Sequence, residues 1–394
     1  MRSFADLFCS RPMNLALFFD PLREELITSG STLSTLAICA SPFVDNFPDW
    51  RNADLAIIGL DEWRGSAAGP PATHGADEVR RRFYQLQKGT NSVRLVDLGN
   101  LRPGLTLEDT YLRLREIVAM LLEHKTLPLL LGGSPDLDYG QFLAYETLER
   151  PVSFAAVDAR VDMAEHASAP QEEAHLRRML MYEPNFLFNF VQLAYQQYLV
   201  APEVLVALEK LHFEKLRLGD IHADVRQAEL LLRQADFVSF DVAAIRWPSA
   251  PAYEPANPFG LTGEEAAQLA WYAGHNDQLS SFGLYGYRPD HDTYGLAAST
   301  LATVLWYFIE GYYRRSGKTD FQSNNFTRYL VSFADTPESV VFYKANYGEK
   351  WWVEVESMGN STLKRIVPCT YEEYLDAVHG TLPDRWYVTQ ALLG

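Results

Sequence analysis

The chain has 394 residues, enough for one large core or for a main domain with a smaller companion. Its 34 basic against 51 acidic residues give a net charge of −17, which repels phosphate backbones and anionic lipid and sets aside nucleic-acid and membrane-surface binding. Hydrophobic residues at 47% and charged residues at 22% exclude wholesale disorder. In chain order, strands are predicted over Thr35–Ala40 and Ala53–Leu60, then a helix over Ala76–Gln87. A strand over Ser92–Asp97 leads to a helix over Leu107–Lys125, whose start carries the capping pair Thr106 and Asp109. Strands over Leu127–Leu131 and Val152–Asp158 flank a helix over Gln141–Leu148, and a helix over Gln171–Met181 follows. Helices over Ala223–Ala235 and Gly263–His275 precede strands over Phe237–Val242 and Gln278–Tyr285, and a long helix over Thr293–Arg315 comes next. Several strands are apolar on consecutive residues, as in a parallel sheet covered on both faces, and the alternation is that of βα units.

Beyond residue 320 the pattern changes. Ser339–Lys344 and Lys350–Glu356 are β-rich runs joined by Ala345-Asn346-Tyr347-Gly348-Glu349, which reads as a hairpin, and a helix over Tyr371–Val378 follows. The expected division is an α/β domain over 1–320 and a β-rich extension over 321–394. The extension carries Phe342, Tyr343, Trp351, Trp352, Trp386 and Tyr387, which serve either as its own core or as interface anchors.

The three cysteines Cys9, Cys39 and Cys369 lie far apart with no CxxC pair, which fits a reducing compartment. The apolar stretch near the N-terminus is broken by Asp20 and Arg23, so no signal peptide is read there. The most apolar segment, Leu296–Ile309, is too short to span a bilayer. A cytoplasmic protein is the expectation.

In open parallel sheets, ligands collect beyond the carboxyl ends of the strands. Three strand ends here are rich in chemistry. The first runs Gly132-Gly133-Ser134-Pro135-Asp136, the second Asp158-Ala159-Arg160-Val161-Asp162, and the third Ser239-Phe240-Asp241-Val242-Ala243 onward to Arg246. Gly260-Leu261-Thr262-Gly263-Glu264-Glu265 follows the third. Alone, each is an ordinary turn or cap. In this order they resemble the ureohydrolase family (arginase, agmatinase and formimidoylglutamase), whose corresponding segments read GGDH, DAHxD, SxDxD and GGLTxxE. The resemblance runs over residues 50–315 and is nearest to the formimidoylglutamase-like branch, on Ser239–Arg246 and the stretch Trp271–Asp292. It implies an arginase-type three-layer α/β fold, with a mostly parallel sheet flanked by helices.

The resemblance further implies a dimanganese site for C–N hydrolysis of linear amidines, held by two His and four Asp. Carried over one position at a time, the pattern keeps Asp158, Asp162 and Asp241 as remnant ligands. Three ligand positions are lost to Pro135, Arg160 and Ala243. Arg160 is expected to stand in for the metal charge by pairing with Asp158 or Asp241, with Arg246 assisting, so that Arg160→Ala should destabilise the fold. The competing readings are that the three aspartates are inherited turn and cap residues beside a solvated Arg160, or that they hold a single weakly bound Mn²⁺ or Mg²⁺ with Asp136 or Asp138 filling in. His175, thirteen residues beyond Asp162, matches an arginase histidine near the substrate; otherwise it is a helix-surface histidine. Glu265 matches the family's substrate-binding glutamate; otherwise it completes a capping box with Thr262. The acid that the family carries near the end of the 279–285 strand is replaced by Gly286.

These readings lead to a homologue without a dimanganese site and without a cofactor, acting as a binding or assembly subunit. The alternatives are an active hydrolase of a linear amidine such as formiminoglutamate, using a single-metal or rearranged site, or a sensor of cationic guanidinium compounds. A protein partner or self-association is expected, and the resemblance implies trimers or hexamers.

Overall fold

The computed structural model describes residues 14–28, 34–89, 93–166, 168–253, 255–315, 320–333, 339–347, 349–357 and 364–393; Cys9, Ser92 and Gly348 fall outside them. The strands of the main sheet are β1 (Phe19–Asp20), β2 (Ala40–Pro42), β3 (Leu55–Gly59), β4 (Leu95–Leu101), β5 (Leu127–Leu131), β6 (Val152–Val157), β7 (Leu187–Tyr195), β8 (Glu214–Arg217), β9 (Phe237–Asp241) and β10 (Ser281–Tyr285). They form one 10-stranded sheet in the order β1-β4-β3-β5-β10-β9-β6-β7-β8, with β2 alongside β4. Only β1 runs antiparallel to its neighbour.

The continuous apolar runs follow from burial on both faces. Leu55, Ile57, Leu129 and Leu131 face a layer formed by the helices Gly75–Phe83, Gly263–Gly274 and Leu296–Tyr313. The alternate residues Ala56, Ile58 and Leu130 face the helices Leu107–Glu123 and Asp138–Thr147. Thr106 and Asp109 form the expected reciprocal capping box. Among the described residues, no helix is long and apolar enough to cross a membrane.

Some elements differ from the expectation. Thr35–Ala40 is not a strand: Thr35 makes an isolated antiparallel bridge with Gln87, Leu36–Cys39 forms a single helical turn, and the strand is Ala40–Pro42, because a four-residue apolar run does not by itself distinguish helix from strand. The helix predicted over 223–235 is shorter, Gln227–Leu232, and a separate short helix, Leu218–Ala223, precedes it. β7 and β8 were not anticipated. Buried Asn189 and Gln192 interrupt the apolar signature of β7, and β8 is an edge strand carrying Glu214 and Lys215.

A second, antiparallel sheet follows in the order β11 (Phe326–Ser332), β12 (Ser339–Ala345), β13 (Trp351–Glu356) and β14 (Lys364–Cys369). The helices Tyr371–Val378 and Asp384–Leu392 cover one face, where Trp351 stacks on Tyr374 with ring centroids 4.5 Å apart. Trp352 points to the other face, against Phe321 and Phe326. Phe342, Tyr343, Trp351, Trp352 and Trp386 are therefore core, whereas Tyr387 is exposed. Arg233 of the main unit docks this sheet: Nη2 donates to Trp351 O and Cys369 O at 3.3 Å, and its guanidinium lies 4.9 Å from the Trp352 ring.

Candidate functional site

Four neighbouring strands build the site. Leu131 at the end of β5 pairs with Leu284, Leu284 with Phe240, Tyr285 with Asp241, and Phe240 with Val157. This register brings the carboxyl ends of β5, β10, β9 and β6 to one level, and the three motif segments leave the sheet side by side. Gly132 and Gly133 turn the chain out of β5 with φ of +93° and +76°. A Cβ on Gly132 would lie 2.7 Å from Leu60 O, so the turn needs glycine there. Pro135 then opens a short 3-10 helix, a position that does not use its missing N–H. It is buried, and its ring offers no lone pair to a metal.

Asp158 is buried just past β6, and its Oδ1 accepts from Arg160 N at 3.2 Å. Asp162, farther along the same loop, hydrogen-bonds to the Asp158 carboxylate. Asp241 ends β9 and accepts from Ala243 N at 2.7 Å. Its space depends on Gly286, where an added Cβ would lie 2.6 Å from Asp241 Oδ1 and leave no room for an acid. Asp138, at the first turn of the Asp138–Thr147 helix, is fully buried, and its Oδ1 accepts from Gln141 Nε2 at 3.0 Å. His175 Nε2 lies 3.7 Å from Asp138 Oδ2 and 3.8 Å from Asp162 Oδ2, while Nδ1 faces Glu172 O at 3.1 Å.

His175 is thus a buried member of the cluster, not a helix-surface residue, because it opens the His175–Leu180 helix and points inward. Asp136 does not fill in for a ligand: Tyr111 and Ser134 donate to its two oxygens. The expected pair between Arg160 and Asp158 or Asp241 does not form. Arg160 is exposed; its backbone N–H donates to Asp158, and its charge acts on that carboxylate without an ion-pair contact. Arg246 is exposed too and donates from Nε to Ser249 Oγ at 2.9 Å. Glu265 completes the capping box with Thr262 and meets His222 Nδ1 at 2.7 Å, so its carboxylate is engaged at a helix start. Asp138 could have been sharpened by geometry, since side chains in a first helical turn lean back toward the preceding strand end.

Electrostatics follow from burial without a counter-ion. Among the described residues, His175 is the one basic side chain within 4.0 Å of Asp138, Asp158, Asp162 or Asp241. Desolvation pushes Asp138 up to about 8. It also raises Asp158, Asp162 and Asp241, the last two further through repulsion from neighbouring carboxylates. Burial pushes His175 down to about 4, so its imidazole is neutral at pH 7. Pro135, Arg160 and Ala243 offer no side-chain ligand at the three family positions they occupy. Among the described residues, no three His, Cys, Asp or Glu side chains converge so as to hold a metal ion.

The sequence pattern of the Arginase family matches residues 53–310. This chain belongs to the arginase family. It is 21% identical over 244 residues to the formimidoylglutamase of Lysinibacillus sphaericus (strain C3-41), covering 59% of this chain and 73% of that protein. Its arginase-type fold is shared with Trypanosoma cruzi formiminoglutamase with Mn²⁺, at a TM-score of 0.60, 20% identity and coverage of 75% and 100% of the two chains. Bacillus subtilis formimidoylglutamase matches with a TM-score of 0.61, 17% identity and coverage of 75% and 97%. The second sheet lies beyond the matched family segment.

Proposed function

We propose that this arginase-family chain does not carry out two-metal hydrolysis and serves instead as a binding or assembly subunit, through self-association or with a protein partner. One observation carries the reading. The three family ligand positions that lack a ligating side chain hold a buried proline ring, an arginine turned to solvent, and an alanine that gives Asp241 a backbone N–H. Asp158 and Asp162 are joined by a hydrogen bond, and Asp158 and Asp241 each accept from a backbone N–H.

A second reading is favoured by Asp138 and His175, which bring a fourth carboxylate and an imidazole to the three family aspartates. On this reading the chain hydrolyses a linear amidine, such as formiminoglutamate, through a rearranged site. Purification with Mn²⁺ present, elemental analysis, Mn²⁺ calorimetry and a formiminoglutamate hydrolysis assay separate the two. The first reading expects metal well below one ion per chain, no binding heat and no turnover. A tightly held ion near one per chain, together with turnover, overturns it.

A further inference from the structure

β14 and the helix Asp384–Leu392 meet the amino ends of β6, β7 and β8 around a partly enclosed cavity of about 310 Å³. Ligand pockets span about 300–1,000 Å³, so this one suits a small molecule. Apolar wall comes from Val367, Val388 and Leu392 of the appended unit and from Phe188 of β7. The cavity lies at the opposite ends of the strands from the carboxylate cluster.

Two buried amides of β7 serve different ends. Gln192 Nε2 donates to Asp158 O at 3.1 Å and to Arg160 O at 2.9 Å, so its amide ties down a loop. Asn189, 7% exposed, lines the cavity, and its amide makes no hydrogen bond among the described residues. Thr389, 6% exposed, lines it too, with its hydroxyl likewise unpaired among them. Neither side chain is sealed from solvent. Polar groups placed in this way call for a water or a ligand.

Arg365 supplies charge. Its guanidinium lies 3.6 Å from the Phe188 ring centroid, and Nη2 donates to Ser153 Oγ at 3.0 Å. Nε and Nη1 make no hydrogen bond among the described residues and keep accessible surface. Burial lowers the pKa of this guanidinium, and Asp236 at 4.0 Å offsets that only in part. The other arginine of the lining, Arg385, is already engaged: Nε meets Glu373 at 2.8 Å and Nη1 lies 3.6 Å from Glu214. Glu214, Glu373 and Asp384 border the same cavity and oppose a second negative charge on any ligand.

We propose that this cavity binds a small organic monocarboxylate, whose oxygens accept from Arg365, Asn189 Nδ2 and the Thr389 hydroxyl. A short carbon chain then packs on the apolar wall. The guanidinium fork suits a carboxylate, and the acidic neighbours select one charge over two. The lining comes from both units, so a bound ligand bridges them. The site is separate from the strand-end cluster, and its test does not depend on how that cluster behaves.

The experiment is calorimetric titration of butyrate into the full chain at constant ionic strength, with butyramide and inorganic phosphate as controls. The expected result is saturable butyrate binding, with both controls much weaker, since butyramide lacks the charge and phosphate carries too much. Arg365→Gln should weaken butyrate about tenfold or more, as for the loss of a charge-assisted contact. Asn189→Asp keeps the shape, leaves Arg365 in place and adds a like charge, and it should weaken butyrate to a similar degree. Circular dichroism establishes that each variant is folded. Absence of saturable butyrate heat overturns the proposal, as does unchanged affinity in a folded variant or either control binding as tightly as butyrate.

Discussion

The protein buries carboxylates in two ways, one in β4 near an edge of the main sheet and one at the carboxyl ends of its central strands. Asp97 in β4 is fully buried, and Arg80 reaches it from the Gly75–Phe83 helix through Nε and Nη2, both at 2.8 Å. Tyr84 OH at 2.7 Å and Gly99 N at 3.0 Å complete its donors. Charge and hydrogen bonds are both balanced there. At the strand ends, Asp138, Asp158, Asp162 and Asp241 share one neutral histidine and a few polar donors. The first arrangement is what a fold requires of a buried charge. The second brings four carboxylates together at the strand ends, where burial disfavours their charged forms.

The comparison breaks most visibly at Arg80. Arg80→Ala leaves Asp97 buried and uncompensated and should cost about 3–5 kcal/mol of unfolding free energy in chemical denaturation. A loss below about 1 kcal/mol would mean that the network is not the balanced partner it is taken to be.

A smaller effect belongs to Asp136, whose carboxyl burial pushes up to about 6. Because this lies above the unfolded value of 3.8, the stabilisation is complete at low pH and is lost as pH rises through about 6. Two units correspond to roughly 3 kcal/mol between pH 4 and 7. Asp136→Asn should remove that share of the pH dependence, read as the difference between the denaturation curves of variant and parent across this range. Parallel curves would show that the carboxyl is ionised at no cost.

The smallest effect is expected at Arg160. With its side chain in solvent, Arg160→Ala should change stability by no more than about 0.5 kcal/mol, in contrast to the loss expected had it been the cluster's counter-ion. A drop in melting temperature comparable to that of Arg80→Ala would restore the guanidinium to that role.

Much of the main domain was legible because burial on both faces of a parallel sheet writes long apolar runs, as in Leu127–Leu131 and Phe237–Val242. Capping pairs such as Thr106 with Asp109 also mark helix starts locally. β7 and β8 escaped because a strand carrying Asn189 and Gln192, and an edge strand carrying charge, look like neither a core strand nor an amphipathic one. In the site, Asp158, Asp162 and Asp241 were found through the family resemblance of the motif segments at the strand ends. The inward turn of His175 and the approach of Asp138 were not, since both depend on which way a helix start leans over the strand ends.

The order of the strand-end motifs, their family and the residues standing at each ligand position were determined by the sequence alone, because each is a property of chain order and side-chain chemistry. Tertiary structure decided which of those side chains meet. Arg160 lies two residues from Asp158 in the chain yet points to solvent, whereas His175, from a separate segment, lies within 3.8 Å of both Asp138 and Asp162. Counter-ions are assigned by distance and direction in space, and these are set by the register of β5, β10, β9 and β6 rather than by spacing along the chain.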